Sequence, residues 1–420
     1  MKNVKHLECI NCGKTYPAEP GVYTCPDCGP EGILDVIYDY DYIKSRVSKE
    51  SFKENREYTI WRYTDFLPIK PDSARPRLRV GWTPLYDTAV LAEAIGLDKL
   101  YMKDDGQNPT ASLKDRASAI AVVKAMEEGA KLIACSSTGN AASSLAGNAA
   151  SVGMRTCIFV PQRAPQGKIA QLQIFGATVI SVQGDYREAF QLSAEAIKKY
   201  GWYNRNAAIN PYLAEGKKTV SLEICEQLDW QVPDWVVFSV GDGCTIGGAY
   251  KGFLDLYNVG FIDRLPKFLG VQASGCDPLT RAFISGGKME PTAENTLADS
   301  IAVGVPRNPE KALRAVRKTG GVYINVSDDE ILAAMRLLGN TSGIFGEPAG
   351  VAGLAGLKKA VAEGIIKRNE TVVCAVTGNG LKDVNNAIKA AGEPMKVNPN
   401  LDELVSALEQ RPGFFDYLNQ

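Results

Sequence analysis

One lysine in this chain, Lys114, has the setting of a nucleophilic amine. It lies in the sequence NPTASLKDR, residues 108–116, where an Asn-Pro-Thr turn runs into a helical pattern. Ser112 can cap that helix, and Asp115 suits the positive end of its dipole. Burial lowers the pKa of an ammonium group, and a neutral amine can form a Schiff base. Because most first-turn lysines are solvated, the assignment depends on what the rest of the chain places around Lys114.

Four cysteines near the start of the chain have the spacing of a metal site. They form two Cys-x-x-Cys pairs separated by twelve residues, each followed by glycine: Cys9, Cys12, Cys25 and Cys28. Each pair can wrap one ion through a tight turn, for which the glycine supplies backbone freedom. The pattern predicts a closed, structural four-cysteine zinc ribbon, with a reduced, metal-free remnant as the alternative. Disulfides are disfavoured in a reducing cytosol.

After Lys114 the sequence alternates regularly between short apolar segments and helical patterns. The apolar segments are KLIACSS, RTCIFVP, ATVISVQ and WYNRNAA, and helical patterns begin at Gly139, Gly167 and Tyr186. Such alternation is typical of an open parallel β-sheet covered by helices on both faces. Ligands of these sheets bind at the carboxyl ends of the strands. The loops that follow the strands are therefore the candidates for a site.

Two of these loops could hold anions. The loop at 136–142 opens a helix with hydroxyls and backbone N–H groups, although a capped helix without a ligand gives the same pattern. The loop at 241–248, GDGCTIGG, has glycines that let the backbone wrap a phosphate. It lacks the Gly-Lys-Ser/Thr of a Walker loop and the glycine spacing of a dinucleotide fingerprint. These features favour a small phosphorylated cofactor.

Two further positions have open assignments. Thr377 stands at the tip of the apolar strand TVVCAV, where its hydroxyl faces the same crevice, although a plain turn residue is the commoner case. Glu347, in the segment IFGEPAG, could reach the crevice, or the segment could serve only close helix packing. Neither position identifies a site by itself.

Composition excludes several classes of protein. The 420 residues carry a net charge of −1 and are 45% hydrophobic, which leaves no basic footprint for nucleic acid or an anionic membrane. No apolar run reaches the roughly 18 residues of a membrane helix, and the start lacks the apolar core of a signal peptide. A cytoplasmic protein is expected. His6 is the only histidine, so any mechanism that needs a histidine base must use it.

The order of these motifs resembles the fold-type-II pyridoxal phosphate enzymes, which are similar to the tryptophan synthase β-subunit. The resemblance runs from about Trp82 to Asp383, and within the group the chain is most similar to the threonine synthases. The segments that carry it are NPTASLKDR, SSTGNAASSLA, PQGKIAQLQIFGA, NPYLAEGKKT, VGDGCTIGGAYKGF and TGNGLKD. An N-terminal zinc ribbon also occurs in some members of that family.

The resemblance implies an α/β architecture of two doubly wound open-sheet domains preceded by the zinc ribbon. The expected boundaries are 1–35 for the ribbon, 36–107 together with 207–420 for a large cofactor-binding domain, and 108–206 for a small mobile domain. It also implies pyridoxal 5'-phosphate as cofactor, a structural zinc ion, a small amino-acid substrate and a homodimer.

The family also implies a role for each motif. Lys114 would hold the cofactor through a Schiff base and then act as acid and base. Asn140 would donate to the phenolic oxygen of the cofactor ring, and Thr377 would hydrogen-bond its pyridine nitrogen. The cofactor phosphate would be wrapped by Gly241, Asp242, Gly243, Cys244 and Thr245. The substrate carboxylate would be held by Ser137, Thr138 and Gly139. Because two anions repel, the carboxylate of Asp242 should point away from the phosphate.

The reaction expected of a threonine synthase converts O-phospho-L-homoserine and water to L-threonine and phosphate. A phosphorylated substrate needs a second anion site, for which the candidates are Arg163, Lys168 and Lys217. The family typically has Gly-Ser-Phe-Lys where this chain has Ala-Ser-Leu-Lys at 111–114, a difference that bears on the substrate more than on the cofactor. The alternatives are a cysteate synthase-like β-replacement on O-phosphoserine, a threonine or serine dehydratase, and a catalytically silent homologue.

Overall fold

The computed structural model describes residues 1–164, 166–206, 209–411 and 414–415. The predicted domain boundary at residue 207, the first residue of the PQGKIAQLQIFGA run and residues 416–420 lie outside these ranges. The strands within them, in chain order, are β1 (Val4–Cys9), β2 (Thr15–Tyr16), β3 (Leu34–Tyr38), β4 (Leu85–Asp87), β5 (Lys99–Asp104), β6 (Leu132–Ser136), β7 (Arg155–Pro161), β8 (Thr178–Val182), β9 (Tyr203–Asn204), β10 (Trp235–Ser239), β11 (Lys267–Ala273), β12 (Val322–Val326) and β13 (Thr371–Val376).

The α-helices of the described residues connect these strands. In chain order they are α1 (Tyr40–Lys44), α2 (Lys49–Glu54), α3 (Ala89–Ile95), α4 (Lys114–Glu127), α5 (Asn140–Ala150), α6 (Gln166–Ile174), α7 (Tyr186–Tyr200), α8 (Tyr212–Lys217), α9 (Thr219–Gln227), α10 (Cys244–Val259), α11 (Pro278–Ser285), α12 (Pro309–Lys318), α13 (Asp328–Ser342), α14 (Pro348–Ala362), α15 (Val384–Ala391) and α16 (Leu401–Glu409). Within the described residues, none of these helices combines the length and the apolar character needed to cross a bilayer.

The N-terminal sheet is a small antiparallel one with the strand order β2-β1-β3. Its third strand pairs with β1 and runs to Tyr38, three residues past the predicted boundary of the ribbon at residue 35. The pairing places Cys9 opposite Leu34, so the first cysteine pair lies at one end of this sheet.

The second sheet is parallel throughout and has the strand order β8-β7-β6-β9. Its strands are the four apolar segments predicted from the sequence, and helices α5, α6 and α7 begin within one residue of the predicted starts. The helix ends have ordinary chemical causes. In α7, for example, Asp185 and Glu188 form a capping box, and Gly201 ends the helix in a left-handed conformation.

The third sheet has six strands in the order β12-β11-β10-β13-β5-β4. All its pairs are parallel except β4 with β5, an edge strand that the sequence did not predict. Strand β10 is buried along its whole length, as expected for a parallel strand covered on both faces. Because β10 and β13 are adjacent but distant in sequence, the loops after them meet at a crevice of the kind that binds ligands in open α/β sheets.

A buried network of charges holds the start of α4 against the body of the protein. The Arg116 guanidinium donates to both Asp105 and Glu223, and Lys103 Nζ donates to Glu223 at 2.7 Å. All four side chains are fully buried. Burial alone would raise the pKa of Glu223, but Arg116 and Lys103 outweigh it and lower that pKa to about 2. The network therefore fixes α4 two residues after Lys114.

Replacing Arg116 with methionine should destabilise the protein strongly, because Asp105 and Glu223 would lose a buried partner. We expect the free energy of unfolding to fall by about 3–5 kcal/mol, measured by urea denaturation followed by circular dichroism. Arg264→Met is the matched control, since Arg264 pairs with Asp234 at the half-exposed surface and should cost less than about 1 kcal/mol. Equal losses for the two variants would contradict this account.

Candidate active site

The loop that carries Lys114 is paired with the tip of strand β13 through the main chain. Leu113 N donates to Thr377 O at 2.9 Å, and Asn379 N donates to Ala111 O at 3.0 Å. Lys114 is the first residue of α4, so its side chain leaves the backbone next to this pairing. Two motifs more than 260 residues apart in sequence are thus brought together, as expected if both line one crevice at the carboxyl ends of the strands.

Two local interactions shape the Lys114 loop. Ala111 has a φ of 66°, in the left-handed region that favours glycine, which gives a physical reason for the glycine expected there in typical threonine synthases. Asp115 is fully buried and accepts from Thr110 N at 2.8 Å and from Asn148 Nδ2 at 2.8 Å. Ser112 does not form the predicted cap, since Leu113 is the N-cap residue and Ser112 Oγ lies 3.4 Å from Lys114 N.

Lys114 has the properties of an amine that can lose its proton near neutral pH. Its side chain is half-buried, and burial is the main cause that lowers its pKa to about 8. The charge of Lys217 lowers that pKa further, and the carboxylate of Glu347 opposes the shift. At pH 7 about one molecule in ten carries the neutral amine, compared with less than about one in a thousand for an ordinary lysine.

The loop after β6 opens α5 and faces the same crevice. Nothing lies within 4 Å of the position that a Cβ would take on Gly139, so this face of the loop is open. A small cavity of about 20 Å³ adjoins it, lined by Thr138, Gly139, Asn140, Ser143, Lys168, Gln171 and Lys382. Asn140 is buried, and its Nδ2 donates to Glu347 Oε1 at 2.7 Å. One amide hydrogen of Asn140 therefore remains for a ligand.

Glu347 lies at the site, which settles the question that the sequence left open for its position. Its side chain is buried, and burial raises the pKa of its carboxyl while Lys114 and Asn140 lower it. A Cβ on Gly378 would lie 2.2 Å from Glu347 Oε1, so a side chain there would displace the carboxylate of Glu347. The segment IFGEPAG thus places a carboxylate beside Asn140 and Lys114, in addition to packing α14.

The glycine loop connects β10 to α10. Gly243 has a φ of 81°, and a Cβ there would lie 2.6 Å from Asn308 O. The first N–H groups of α10 have no acceptor within the helix, so they can bind an anion. The carboxylate of Asp242 is held by Arg307 N at 2.7 Å. The carboxylate therefore already accepts a hydrogen bond from a neighbouring loop, as expected if only the backbone of Asp242 binds a phosphate.

The cysteine ribbon packs directly on this glycine loop. Cys244, the first residue of α10, forms a small apolar cluster with Ile33 and Ile10 of the ribbon. The Sγ of Cys244 accepts from Asn308 Nδ2 at 2.6 Å. The four ribbon cysteines have their sulfur atoms within 4.8 Å of one another, and the sulfurs of Cys12 and Cys25 are 3.7 Å apart. That separation matches the edge of about 3.8 Å for a tetrahedron with Zn–S bonds of about 2.3 Å.

The three basic residues predicted for a second anion lie in different settings. Arg163 is exposed on the loop after β7. Lys168 lines the small cavity beside Asn140 but pairs with Asp299 at 2.7 Å. Lys217, the last residue of α8, is buried and acts on the pKa of Lys114.

Two basic residues at the site were missed by the sequence analysis. Lys382 Nζ donates to Ser143 Oγ at 3.0 Å and to Gln171 Oε1 at 3.1 Å, which joins the loop after β13 to α5 and α6. Its place in the TGNGLKD motif could have identified it. Arg205 follows β9 directly, is buried, and donates to Ser118 on α4. Nothing in the local sequence distinguishes it from a surface arginine.

The lining of a larger cavity includes Gly247 of the glycine loop but none of Lys114, Asn140 and Glu347. This cavity measures about 220 Å³, between α10 and α12, and its wall includes Asp35, Lys251 and Lys311. Both lysines pair with Asp35, at 2.7 and 3.1 Å. The candidate active site is therefore assigned by its chemistry and not by the size of the cavity.

Comparison with known proteins gives both sequence relatives and structural neighbours. Residues 77–378 match the family model described as "Pyridoxal-phosphate dependent enzyme". Proteins named "Threonine synthase" from Methanocaldococcus jannaschii and Methanosarcina acetivorans are each 42% identical to the chain. Each alignment covers 96% of this chain, and 99% and 98% of the respective relatives.

Solved structures confirm the predicted fold class. The processed form of threonine deaminase isoform 2 from Solanum lycopersicum matches with a TM-score of 0.62 and 22% identity, over 79% of this chain and 88% of that one. Maize serine racemase matches with a TM-score of 0.61 and 20% identity, over 80% of this chain and 94% of that one. At these identities the likeness concerns the fold alone.

Replacing Lys217 with glutamine should raise the pKa of Lys114, because a positive charge that disfavours its ammonium is removed. The measurement is the pH dependence of reductive methylation of Lys114 in cofactor-free protein, followed by peptide mass spectrometry. We expect a midpoint near pH 8 in the parent protein and a higher one in Lys217→Gln. Arg163→Gln, a change at the exposed loop, serves as control and should leave the midpoint in place. A midpoint that stays at its parent value in Lys217→Gln would contradict the assigned proximity.

Proposed function

The chain belongs to the pyridoxal-phosphate dependent enzymes and, among them, to the threonine synthases, and from this premise we propose that it converts O-phospho-L-homoserine and water to L-threonine and phosphate. The observation that carries the proposal is the half-buried amine of Lys114, with a pKa of about 8, next to the crevice between β10 and β13. An amine with that pKa suits repeated proton transfer near neutral pH.

The donors at the site fit pyridoxal phosphate. Lys114 supplies an amine, the start of α10 supplies free N–H groups for a phosphate, and Asn140 and Thr377 supply an amide and a hydroxyl. We assign the cofactor phosphate to residues 241–245, the phenolic oxygen to Asn140 and the pyridine nitrogen to Thr377. When bound, the cofactor withdraws electrons from the substrate and makes its Cα proton removable.

Lys114 then moves the protons. It takes the proton from Cα and later one from Cβ of the substrate, phosphate leaves from Cγ, and Cγ is then protonated. Water adds at Cβ, and the return of a proton to Cα completes L-threonine. Ser137, Thr138 and Gly139 hold the substrate carboxylate with hydroxyls and N–H groups. The hydroxyl of Thr377 cannot keep a pyridine nitrogen protonated as a carboxylate would, so the site is poorly suited to transamination.

We propose that the segment 108–206 is a small domain that closes over the substrate. Besides the main-chain pairing of the Lys114 loop, side-chain contacts cross from this segment to the rest of the chain at the crevice, among them Asn140 with Glu347, Lys168 with Asp299, and Ser143 with Lys382. Polar contacts of this kind can form on closure and break on opening at small cost, since two of them are partly exposed.

The ribbon, the oligomeric state and the cellular location complete the proposal. The four-cysteine cluster is assigned to a structural zinc ion because its sulfur spacing fits tetrahedral coordination. None of the ten cysteines, all of which lie in the described residues, forms a disulfide, which suits a reducing cytoplasm. A homodimer is supported by apolar side chains that α15 exposes, including Val384 and Ile388.

The function is tested by phosphate release from purified protein. With O-phosphohomoserine, we expect phosphate and threonine in equal amounts, and loss of both in Lys114→Ala because no other amine replaces the base. Release from O-phosphoserine alone, with sulfite incorporated, would contradict the proposal and assign a β-replacement reaction. Release from neither substrate would contradict it as well.

Loss of the metal site should weaken cofactor binding, because Ile33 of the ribbon packs on Cys244 of the glycine loop. We expect about one zinc ion per chain by elemental analysis, loss of that zinc in Cys25→Ser, and a higher dissociation constant for pyridoxal phosphate in the same variant. Cys157→Ala, a change in β7 outside the cluster, should keep its zinc. A Cys25→Ser protein that keeps both zinc and cofactor affinity would refute the assignment.

A further inference from the structure

Two buried cations next to Lys114 have no carboxylate partner in the described residues. Arg205 has 2% of its surface exposed and Lys217 has 3%. Within the described residues, the Arg205 guanidinium donates only to Ser118 Oγ, from Nε at 3.2 Å and from Nη2 at 3.0 Å. No hydrogen bond or ion pair joins the ammonium of Lys217 to any described side chain. Both cations are therefore buried without an ion-pair partner, although the charge of Asp115, which does not pair with it, acts on Arg205.

Their neighbours in the same elements are compensated fully. Arg116, two residues after Lys114, pairs with two carboxylates, Asp105 and Glu223. Lys218, the residue after Lys217, pairs with Glu215 at 2.7 Å and Asp255 at 2.6 Å. Arg116 and Lys218 thus form ion pairs with buried carboxylates, whereas Arg205 and Lys217 form none with the carboxylates that the structure describes.

Both cations are located where a substrate would meet Lys114. Ser118, which holds Arg205, lies one helical turn after Lys114 on α4. Lys217 packs against the start of α10, where a Cβ on Gly248 would lie 3.0 Å from Lys217 Cβ. Arg205 and Lys217 each act on the Lys114 ammonium through their charge. The three cations are therefore close enough for their charges to interact.

Burying an unpaired charge costs several kcal/mol, so an anion that binds to these cations would offset that cost. The phosphate of the cofactor is already provided for by the N–H groups of the glycine loop. We propose that Arg205 and Lys217 together bind the phosphate group of the substrate. This inference depends on the proposed function for the identity of the anion, and it assigns to Arg205 a role that the sequence analysis gave to other basic residues.

The pair also gives a reason for substrate selection. An amino acid without a phosphate would leave both cations unpaired when the site closes, and sites with unmatched buried polar groups reject such analogues strongly. Arg205 can offer several N–H donors to one phosphate group, while Lys217 adds a point charge.

The test compares two ligands that differ in charge. Holoenzyme is titrated with the phosphonate analogue of O-phosphohomoserine and with L-norvaline, which has an uncharged side chain, and binding is followed by calorimetry. Arg205→Gln should weaken phosphonate binding about 30-fold or more and leave norvaline and cofactor affinities unchanged. Arg205→Lys, which keeps the charge, should recover part of the loss. Arg264→Gln, at the half-exposed surface far from this role, should bind both ligands like the parent protein.

Unchanged phosphonate affinity in Arg205→Gln would overturn the inference, and so would equal weakening of both ligands or loss of cofactor. If Arg205→Gln does not fold, Lys217→Gln decides by the same comparison. Failure of the proposed function is distinguishable, because it appears in the parent protein as absence of threonine formation. In that case titration with O-phosphoserine still tests whether Arg205 and Lys217 recognise a phosphorylated amino acid.

Discussion

A main-chain pairing between two distant segments determines where the chemistry occurs. Residues 111–113 hydrogen-bond to residues 377–379, which fixes the start of α4 at the end of strand β13. The backbone of Ala111 is left-handed at this pairing, and a side chain at residue 378 would displace the carboxylate of Glu347. Because the hydrogen bonds of the pairing join main-chain atoms, they fix the backbone of Lys114 whatever conformation its side chain adopts. The glycine loop at 241–248, the carboxylate of Glu347 and the cations Arg205 and Lys217 lie around Lys114.

The distribution of buried charge separates structural groups from functional ones. Arg116, Lys103 and Lys218 are each satisfied by carboxylates and hold helices in place. Among the described residues, Lys114, Lys217 and Arg205 form no such ion pairs. Burial, and after it the charges of Lys217 and Arg205, keep the pKa of Lys114 low, although Glu347 opposes the shift. Buried positive charge without ion pairs thus contributes to the reactive amine and favours binding of a phosphorylated substrate.

The sequence predicted the parts of the fold that depend on local pattern. The parallel strands β6 to β9 appear as continuous apolar segments, and the glycine and cysteine motifs carry their geometry in their spacing. The edge strand β4 was missed because three residues carry too little pattern. Arg205 was missed because its burial depends on packing against Ser118 of α4, and Glu347 stayed undecided because only the folded chain brings it to Asn140. Such contacts are tertiary and leave no local signal.

The most direct test of the central claim is the fate of solvent oxygen during turnover of O-phosphohomoserine in H₂¹⁸O, followed by mass spectrometry. If phosphate leaves by cleavage of its bond to Cγ and water adds at Cβ, the label will enter the hydroxyl of threonine and the released phosphate will be unlabelled. Labelled phosphate with homoserine as the other product would mean simple phosphoester hydrolysis. That result would contradict the account, because the reaction would then need neither the amine of Lys114 nor the cofactor cradle.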